Sequence, residues 1–192
     1  RAQPGPERSA GTRPNQQLQF SRFPSLESRS MLILCTNDDG YLARGLRVLA
    51  EAARPLGEVH VVAPDREQSA TSHSLTMHVP IRARSVGERT HSVTGTPTDC
   101  VMLAVQELLP RRPDFVLSGI NHGGNLGADV HYSGSVAAVR EAVLHGWPGV
   151  AISHYRYERR EFDWERAADW VARVLLDLFA RPIEPGLFYN VN

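Results

Sequence analysis

The stretch MLILCTNDDG, residues 31–40, decides the fold. Its first six residues are mostly apolar and do not alternate, as expected of a strand covered on both faces. Such strands belong to parallel sheets clothed by helices. The last four form a polar turn that carries two adjacent carboxylates, Asp38 and Asp39, and ends in Gly40. Downstream, residues 44–55 place Leu46, Leu49, Ala50 and Ala53 at helical spacing and are closed by Pro55 and Gly57. EVHVVAP (58–64) is a second strand, ending at proline. Strand, helix and strand in this order make a βαβ unit.

The alternation continues outward from that unit. LTMHVPIRAR and THSVTG, within residues 75–95, suggest small strands or a hairpin. Thr96-Pro97-Thr98-Asp99 predicts a helix start, with Thr96 as N-cap, Pro97 at the first helical position and Asp99 completing a capping box. That helix is expected to run to about Leu109, before Pro110. DFVLSGI (114–120) is a further buried strand and Ser133–His145 a helix. VAIS (150–153) is a strand, and Asp163–Phe179 a helix with Trp170, Val174 and Leu178 on its apolar face. LFYNVN (187–192) begins a last strand. The pattern is α/β, with a mostly parallel sheet covered on both sides.

Residues 1–30 are rich in Pro, Ser, Gln and Arg without any period. We expect a disordered N-terminal extension there, with residues 31–192 as one domain. A transit peptide fits less well, because the segment carries two Glu. The sequence breaks off while still strand-like, so a C-terminal tail is expected to be missing.

Charge narrows the function classes. Acidic and basic residues number 21 each, which argues against a nucleic acid duplex or an anionic membrane as partner. All the basic residues are Arg, and no Lys occurs. A phosphate-binding loop of the GxxxxGK[ST] kind is therefore excluded, and a receiver domain lacks its lysine. No GxGxxG is present, and Asp38-Asp39 has no spacer to make an Asp-x-Asp nucleophile pair. Cys35 and Cys100 suggest neither disulfide framework nor zinc knuckle, so a cytoplasmic location is expected. No apolar run approaches the ~20 residues of a membrane span.

In sheets of this kind ligands bind beyond the carboxyl ends of the strands. Those ends carry Asn37-Asp38-Asp39-Gly40, then Asp65-Arg66-Glu67-Gln68-Ser69, then Asn121-His122-Gly123-Gly124-Asn125. Adjacent carboxylates repel unless a cation or proton compensates, and Asp, Asn and Ser oxygens suit a hard cation such as Mg²⁺ or Mn²⁺. The plainer alternative is a polar turn with glycine in a left-handed conformation. Tyr132-Ser133-Gly134-Ser135 opens a helix, which is either a phosphate seat or ordinary serine capping. Capping also accounts for Thr96–Asp99. The eight histidines form no zinc pattern. His122, beside Asn121, and His73, after the Ser69 loop, are the ones placed to visit a site, although hydrogen-bonded surface roles suit both. Arg156–Arg160 is a solvated loop or the wall of a nucleotide pocket.

MLILCTNDDG, VVAPDREQSATSHSLT (61–76), GTPTDC (95–100), SGINHGGN (118–125) and YSGSV (132–136) resemble, in order and spacing, the successive motifs of SurE proteins. The resemblance covers about Met31 to Asn192. It implies a Rossmann-like three-layer α/β/α sandwich that removes phosphate from nucleoside 5′- and 3′-monophosphates, and in some members from short polyphosphates. It implies one divalent cation per subunit, Mg²⁺ or Mn²⁺, with ligands falling on Asp38, Asp39, Ser69 and Asn121. Gly119, Asn125, Ser133, Gly134 and Ser135 fall on segments that shape the phosphate pocket, and Ser69 borders it. Under this reading the cation activates a water, Asp38 or Asp39 is general base, and Asn121 stabilises the phosphoryl oxygens. Departures are mild: His122 stands where a small residue is frequent, Ser135 replaces Thr, and Ala142 replaces Gly. The resemblance further implies homodimers or homotetramers through a C-terminal tail. A nucleotide-binding module without turnover is the competing class.

Overall fold

The computed structural model describes residues 30–155 and 161–192. The expected N-terminal extension lies outside them, except for Ser30, as does the Arg156–Arg160 segment. In chain order the elements are β1 (Met31–Thr36), α1 (Arg44–Ala53), β2 (Gly57–Pro64), β3 (Ala83–Gly87), β4 (Thr90–Val93) and α2 (Pro97–Leu103). After them come β5 (Phe115–His122), α3 (Asp129–Tyr132), α4 (Gly134–Leu144), β6 (Gly149–His154), α5 (Trp164–Phe179) and β7 (Phe188–Val191). The strands form one sheet in the order β3-β4-β2-β1-β5-β6-β7. Every neighbouring pair is parallel except the β3–β4 hairpin. The α/β class expected from the sequence is the one observed.

Element ends follow local chemistry. Pro55 has no N–H to extend the helical ladder, so α1 tightens into a 3₁₀ turn over Arg54–Leu56. Thr96 and Asp99 form the expected capping box. Beyond Leu103 the helix widens into a π turn, with Leu109 N–H donating to the Ala104 carbonyl at 2.8 Å. Of residues 75–95, only 83–87 and 90–93 pair as strands.

Side chains alternate between two apolar layers. Ile33 and Cys35 of β1 point toward α1 and α5, joining Leu46, Leu49, Leu117, Trp164, Val171 and Leu175. Leu34 points the other way, to Val62, Val93, Cys100, Val101 and Ala138 on the α2 and α4 side. Fully burying one such Leu, Ile or Val contributes about 1.5–3 kcal/mol. The expected face of α5 holds at Val174 and Leu178, which pack on the core with Trp164, Val171 and Leu175, but not at Trp170, which is 59% exposed.

Helix placement sets the hand of each crossover. From β1 to β2 the chain steps one way along the sheet with α1 on the first face. From β5 to β6 it steps the other way with α4 on the opposite face, so these two crossovers share a hand. From β6 to β7 it steps onward, but α5 lies on the α1 face. That crossover has the opposite hand, against the strong preference for a single one.

Strands β1 and β5 are neighbours, and winding proceeds away from them in opposite directions. The sheet therefore has its switch point there, where such folds open a crevice beyond the strand ends.

Candidate metal centre

The β1 end is shaped by Asn37 and Gly40. Asn37 Nδ2 donates to the Gly40 carbonyl at 3.0 Å, and Gly40 takes φ +97°, a region glycine enters without strain. Gln68 N–H donates to the Asp38 carbonyl at 2.7 Å, which ties the loop bearing Ser69 to this turn.

Asp38 is 4% exposed. It faces the first turn of α4, where Ser135 Oγ donates to its Oδ1 at 2.6 Å. The Ser135 and Gly134 N–H groups also favour its charged form. A Cβ on Gly134 would come within 2.8 Å of Asp38 Cβ, so a larger residue would push the two apart. Burial nevertheless outweighs these contacts and raises the Asp38 pKa above the ordinary carboxylate value. Asp39 is raised too, by burial first and then by the Asp38 charge; His122 opposes the shift and Glu67 adds to it. Asp39 Oδ2 is buried and has no hydrogen-bond partner.

At the end of β5, Gly119 has φ +139°, and a Cβ there would lie 2.2 Å from the Ile152 carbonyl oxygen. The β5–β6 register shifts between Ser118 and Asn121. Asn121 follows this break, and its Nδ2 donates to the Gly123 carbonyl at 2.9 Å. Its side-chain oxygen is thereby the end left to act as a ligand. Asn125 is pinned by Ser153 Oγ at 2.9 Å from its Nδ2 and by Asn192 Oδ1 at 2.7 Å from its N–H.

These groups meet in a cavity of about 520 Å³. Asp38, Asp39, Ser69, Asn121, Asn125 and Ser133 all line it. Gly134 and Ser135 stand behind Asp38, and Gly119 lies within β5 below Asn121. Ser133 caps α4, accepting from Val136 N–H at 3.1 Å. The helix start thus supports Asp38 as well as bordering the cavity. His122 is in the lining, but His73 is not: its Nε2 sits 2.7 Å from Glu141 Oε2. Glu67, Asp129 and Tyr132 also line the cavity; Glu67 and Tyr132 stood in quoted motifs without a role of their own, and Asp129 escaped the sequence reading. Glu67 stood in the quoted strand-end loop, whereas the four-residue α3 carries no periodic signal. Glu67 Oε1 accepts from Ser69 Oγ at 2.7 Å.

Among the described residues the lining holds four carboxylates and no arginine. The orphaned Asp39 oxygen, together with the excess of acid, fits a hard cation held by oxygen donors. Among the described residues no group of three His, Cys, Asp or Glu is arranged to hold a metal. A ligand set of two carboxylates, a hydroxyl and an amide is of a different kind.

Residues 33–192 match the family model of survival protein SurE. The chain is 66% identical over 123 residues to the 5′-nucleotidase SurE of Gemmatimonas aurantiaca, covering 64% of this chain and 49% of that relative. It is 49% identical over 162 residues to the putative 5′-nucleotidase alr3139 of Nostoc sp., covering 84% of this chain and 71% of the relative. The crystal structure of the SurE protein from Aquifex aeolicus superposes with a TM-score of 0.77 at 38% identity, covering 83% of this chain and 64% of that one. The chain thus spans between about half and seven-tenths of the length of these relatives. With its motifs, fold and five-sixths of its length matched, the chain belongs to the SurE family.

Proposed function

We propose that this protein hydrolyses phosphomonoesters of nucleosides, with one divalent cation, Mg²⁺ or Mn²⁺, held by Asp38, Asp39, Ser69 and Asn121. The observation that carries the reading is the buried, partnerless Asp39 Oδ2 beside a second buried carboxylate at the sheet's switch point. The names of the relatives, 5′-nucleotidases, support nucleoside 5′-monophosphates as the substrate class; 3′-monophosphates and short polyphosphates are secondary candidates on the motif resemblance alone.

A bound divalent cation supplies Lewis acidity toward a phosphate oxygen and acidifies a water ligand. The chain's own residues do the rest. Asp38 is held by Ser135 and the α4 N-terminus, so it is the fixed side of the site. Asp39 keeps Oδ2 free of hydrogen bonds, and that carboxylate would serve as the general base. The N-terminal dipole of α4 stabilises charge on the phosphoryl oxygens, and Asn121 acts on them through the cation its side-chain oxygen would hold, its Nδ2 being bonded to the Gly123 carbonyl. Ser133 and Asn125 close the phosphate side of the cavity.

The test is phosphate release from nucleoside monophosphates with Mg²⁺, with Mn²⁺ and with chelator. Release that needs the metal and stops with chelator is the expected result. Nucleotide binding without release under any metal would overturn the enzymatic reading in favour of a binding module.

A further inference from the structure

Capping accounts for Thr96–Asp99 in the sequence, but in the folded chain Asp99 does more than cap. It is 2% exposed and accepts three hydrogen bonds. Its Oδ2 takes the Thr96 N–H at 2.8 Å, the return bond of a capping box. The other two come from Thr76, 23 positions earlier: the N–H reaches Oδ1 at 3.0 Å and the hydroxyl reaches Oδ2 at 2.6 Å. We propose that Asp99 is a positioning residue for the candidate metal centre, and that its grip on Thr76 holds the loop on which Ser69 faces the cavity. This inference rests on the reading of Ser69 as a ligand.

The loop needs holding. It runs over residues 65–82, between β2 and β3, without helix or strand. Ala70 and Ser72 sit at φ +58° and +54°, a left-handed region that residues with a side chain keep only where their surroundings enforce it. Thr71 Oγ1 donates to the Gln68 carbonyl at 2.8 Å, which bends the chain locally. Bonds to other elements then fix where it lies. Gln68 N–H holds the near end on the Asp38 carbonyl, and Ser72 holds the middle on α3. At the far end Thr76 is held by Asp99, and Thr96 Oγ1 donates to the Ser74 carbonyl at 2.7 Å. The strained residues lie between these anchors, so a freed end lets them relax and carry Ser69 off the cavity.

The anchor is itself seated at the site. A Cβ on Gly134 would lie 2.8 Å from Asp38 Cβ and 3.1 Å from Pro97 Cγ, so the β1 turn and the starts of α2 and α4 meet there. A Cβ on Gly95 would come within 2.8 Å of Asp99 Oδ2, so the carboxylate fits only beside bare backbone. One junction thus supports Asp38 directly and the Ser69 loop through Thr76. Two bonds from one residue to the two oxygens of a buried carboxylate fix its orientation as well as its position, where a single bond would let it swing.

The experiment uses Thr76→Val, which removes the hydroxyl bond but leaves Asp99 on the Thr96 N–H, so the cap of α2 survives. Thr76→Ser keeps the hydroxyl, and Ser69→Ala is the control for the ligand reading. Each is compared with wild type by isothermal titration with Mn²⁺, by amide hydrogen exchange within residues 66–76, and by the Mn²⁺ dependence of phosphate release, with circular dichroism to check the fold. Thr76→Val should speed exchange at the Gln68 and Ser72 amides and weaken Mn²⁺ binding by roughly 3- to 30-fold, a part of what one bond to a buried carboxylate is worth. Its kcat at saturating Mn²⁺ should stay near that of wild type, and Thr76→Ser should match wild type throughout. Either exchange or Mn²⁺ affinity unchanged in Thr76→Val, or a loss that Thr76→Ser shares, overturns the inference. Ser69→Ala weakening Mn²⁺ beside a Thr76→Val that does not would keep the ligand and remove the grip. Ser69→Ala binding Mn²⁺ like wild type would sink the ligand reading, and the positioning role with it.

Discussion

Ser135 Oγ reaches Asp38 Oδ1 at 2.6 Å across 97 positions of sequence, and both groups are buried. The bond ties the α4 start to the β1 turn and favours the ionised Asp38. Ser135→Ala should cost about 1.5–3 kcal/mol in denaturant unfolding at neutral pH. Losing a donor to the charged form raises the Asp38 pKa further, so the acid limb of the pH–rate profile should move to higher pH. Ser135→Thr keeps the hydroxyl and should behave like wild type. An acid limb that stays in place in Ser135→Ala would refute the role given to this bond.

Asp38 and Asp39 both have raised pKa values, so the folded chain binds their protons more tightly than the unfolded chain does. Stability from this pair therefore falls as pH rises from the ordinary carboxylate range through the raised values. A cation bound to the carboxylates reverses that loss, and acid in turn weakens its binding. Asp39→Asn removes the like charge. In chelator it should raise Tm by about 2–4 °C, equivalent to about 1 kcal/mol, while abolishing turnover and the Tm gain on adding Mn²⁺. Scanning calorimetry with and without Mn²⁺ decides: a Mn²⁺-dependent gain retained in Asp39→Asn removes this residue from the ligand set.

Glu141 is buried on α4 and bridges two histidines, His73 at 2.7 Å and His145 at 2.9 Å. His73 belongs to the loop after Ser69, in which Ala70 and Ser72 both have positive φ. Such conformations cost of order 1–3 kcal/mol each and persist only where contacts enforce them. Here the contacts include Ser72 Oγ to the His131 carbonyl at 2.7 Å. Glu141→Ala should lower stability by about 1–3 kcal/mol and raise the Mn²⁺ concentration needed for half-maximal activity. Limited proteolysis should show faster cleavage within residues 69–75, and an unchanged digest would contradict the clip.

Burial pushes the Cys35 thiol up to about 12, and Cys100 is raised as well. Neither should react with a thiol reagent at pH 8 in the folded protein, since the thiolate is the reactive form. Labelling should instead track unfolding in urea. Prompt labelling of both thiols without denaturant would show that the core opens locally.

Much of the candidate site was legible because β/α winding places strand ends at one edge. Asp38, Asp39, Ser69 and Asn125 stand in loops that follow recognisable strands, Asn121 stands at the paired end of β5 itself, and all line one cavity. Glu141 was not legible: a carboxylate on a helix reads as solvated, and only folding brings His73 over it. Asp129 sits on a helix too short for its period to register, and only the Tyr132 end of that helix showed in the sequence, through its motif. Trp170 misled because α5 has apolar residues on more than one side, and the sheet selects the face. The reversed hand of the β6–α5–β7 crossover has no local signature, since it depends on which layer has room for α5.

The split of the site across β1 and β5 has a consequence for how the protein is made. Asp38 and Asp39 leave the ribosome about 80 residues before Asn121 and about 95 before the α4 start, a delay on the order of ten seconds at ordinary translation speeds. Throughout that interval the two aspartates are ordinary hydrated acids on an unfinished sheet. With the proposed ligand set, the nascent chain would have no means to capture a cation early, and occupancy of the centre would certify that both halves of the sheet have come together.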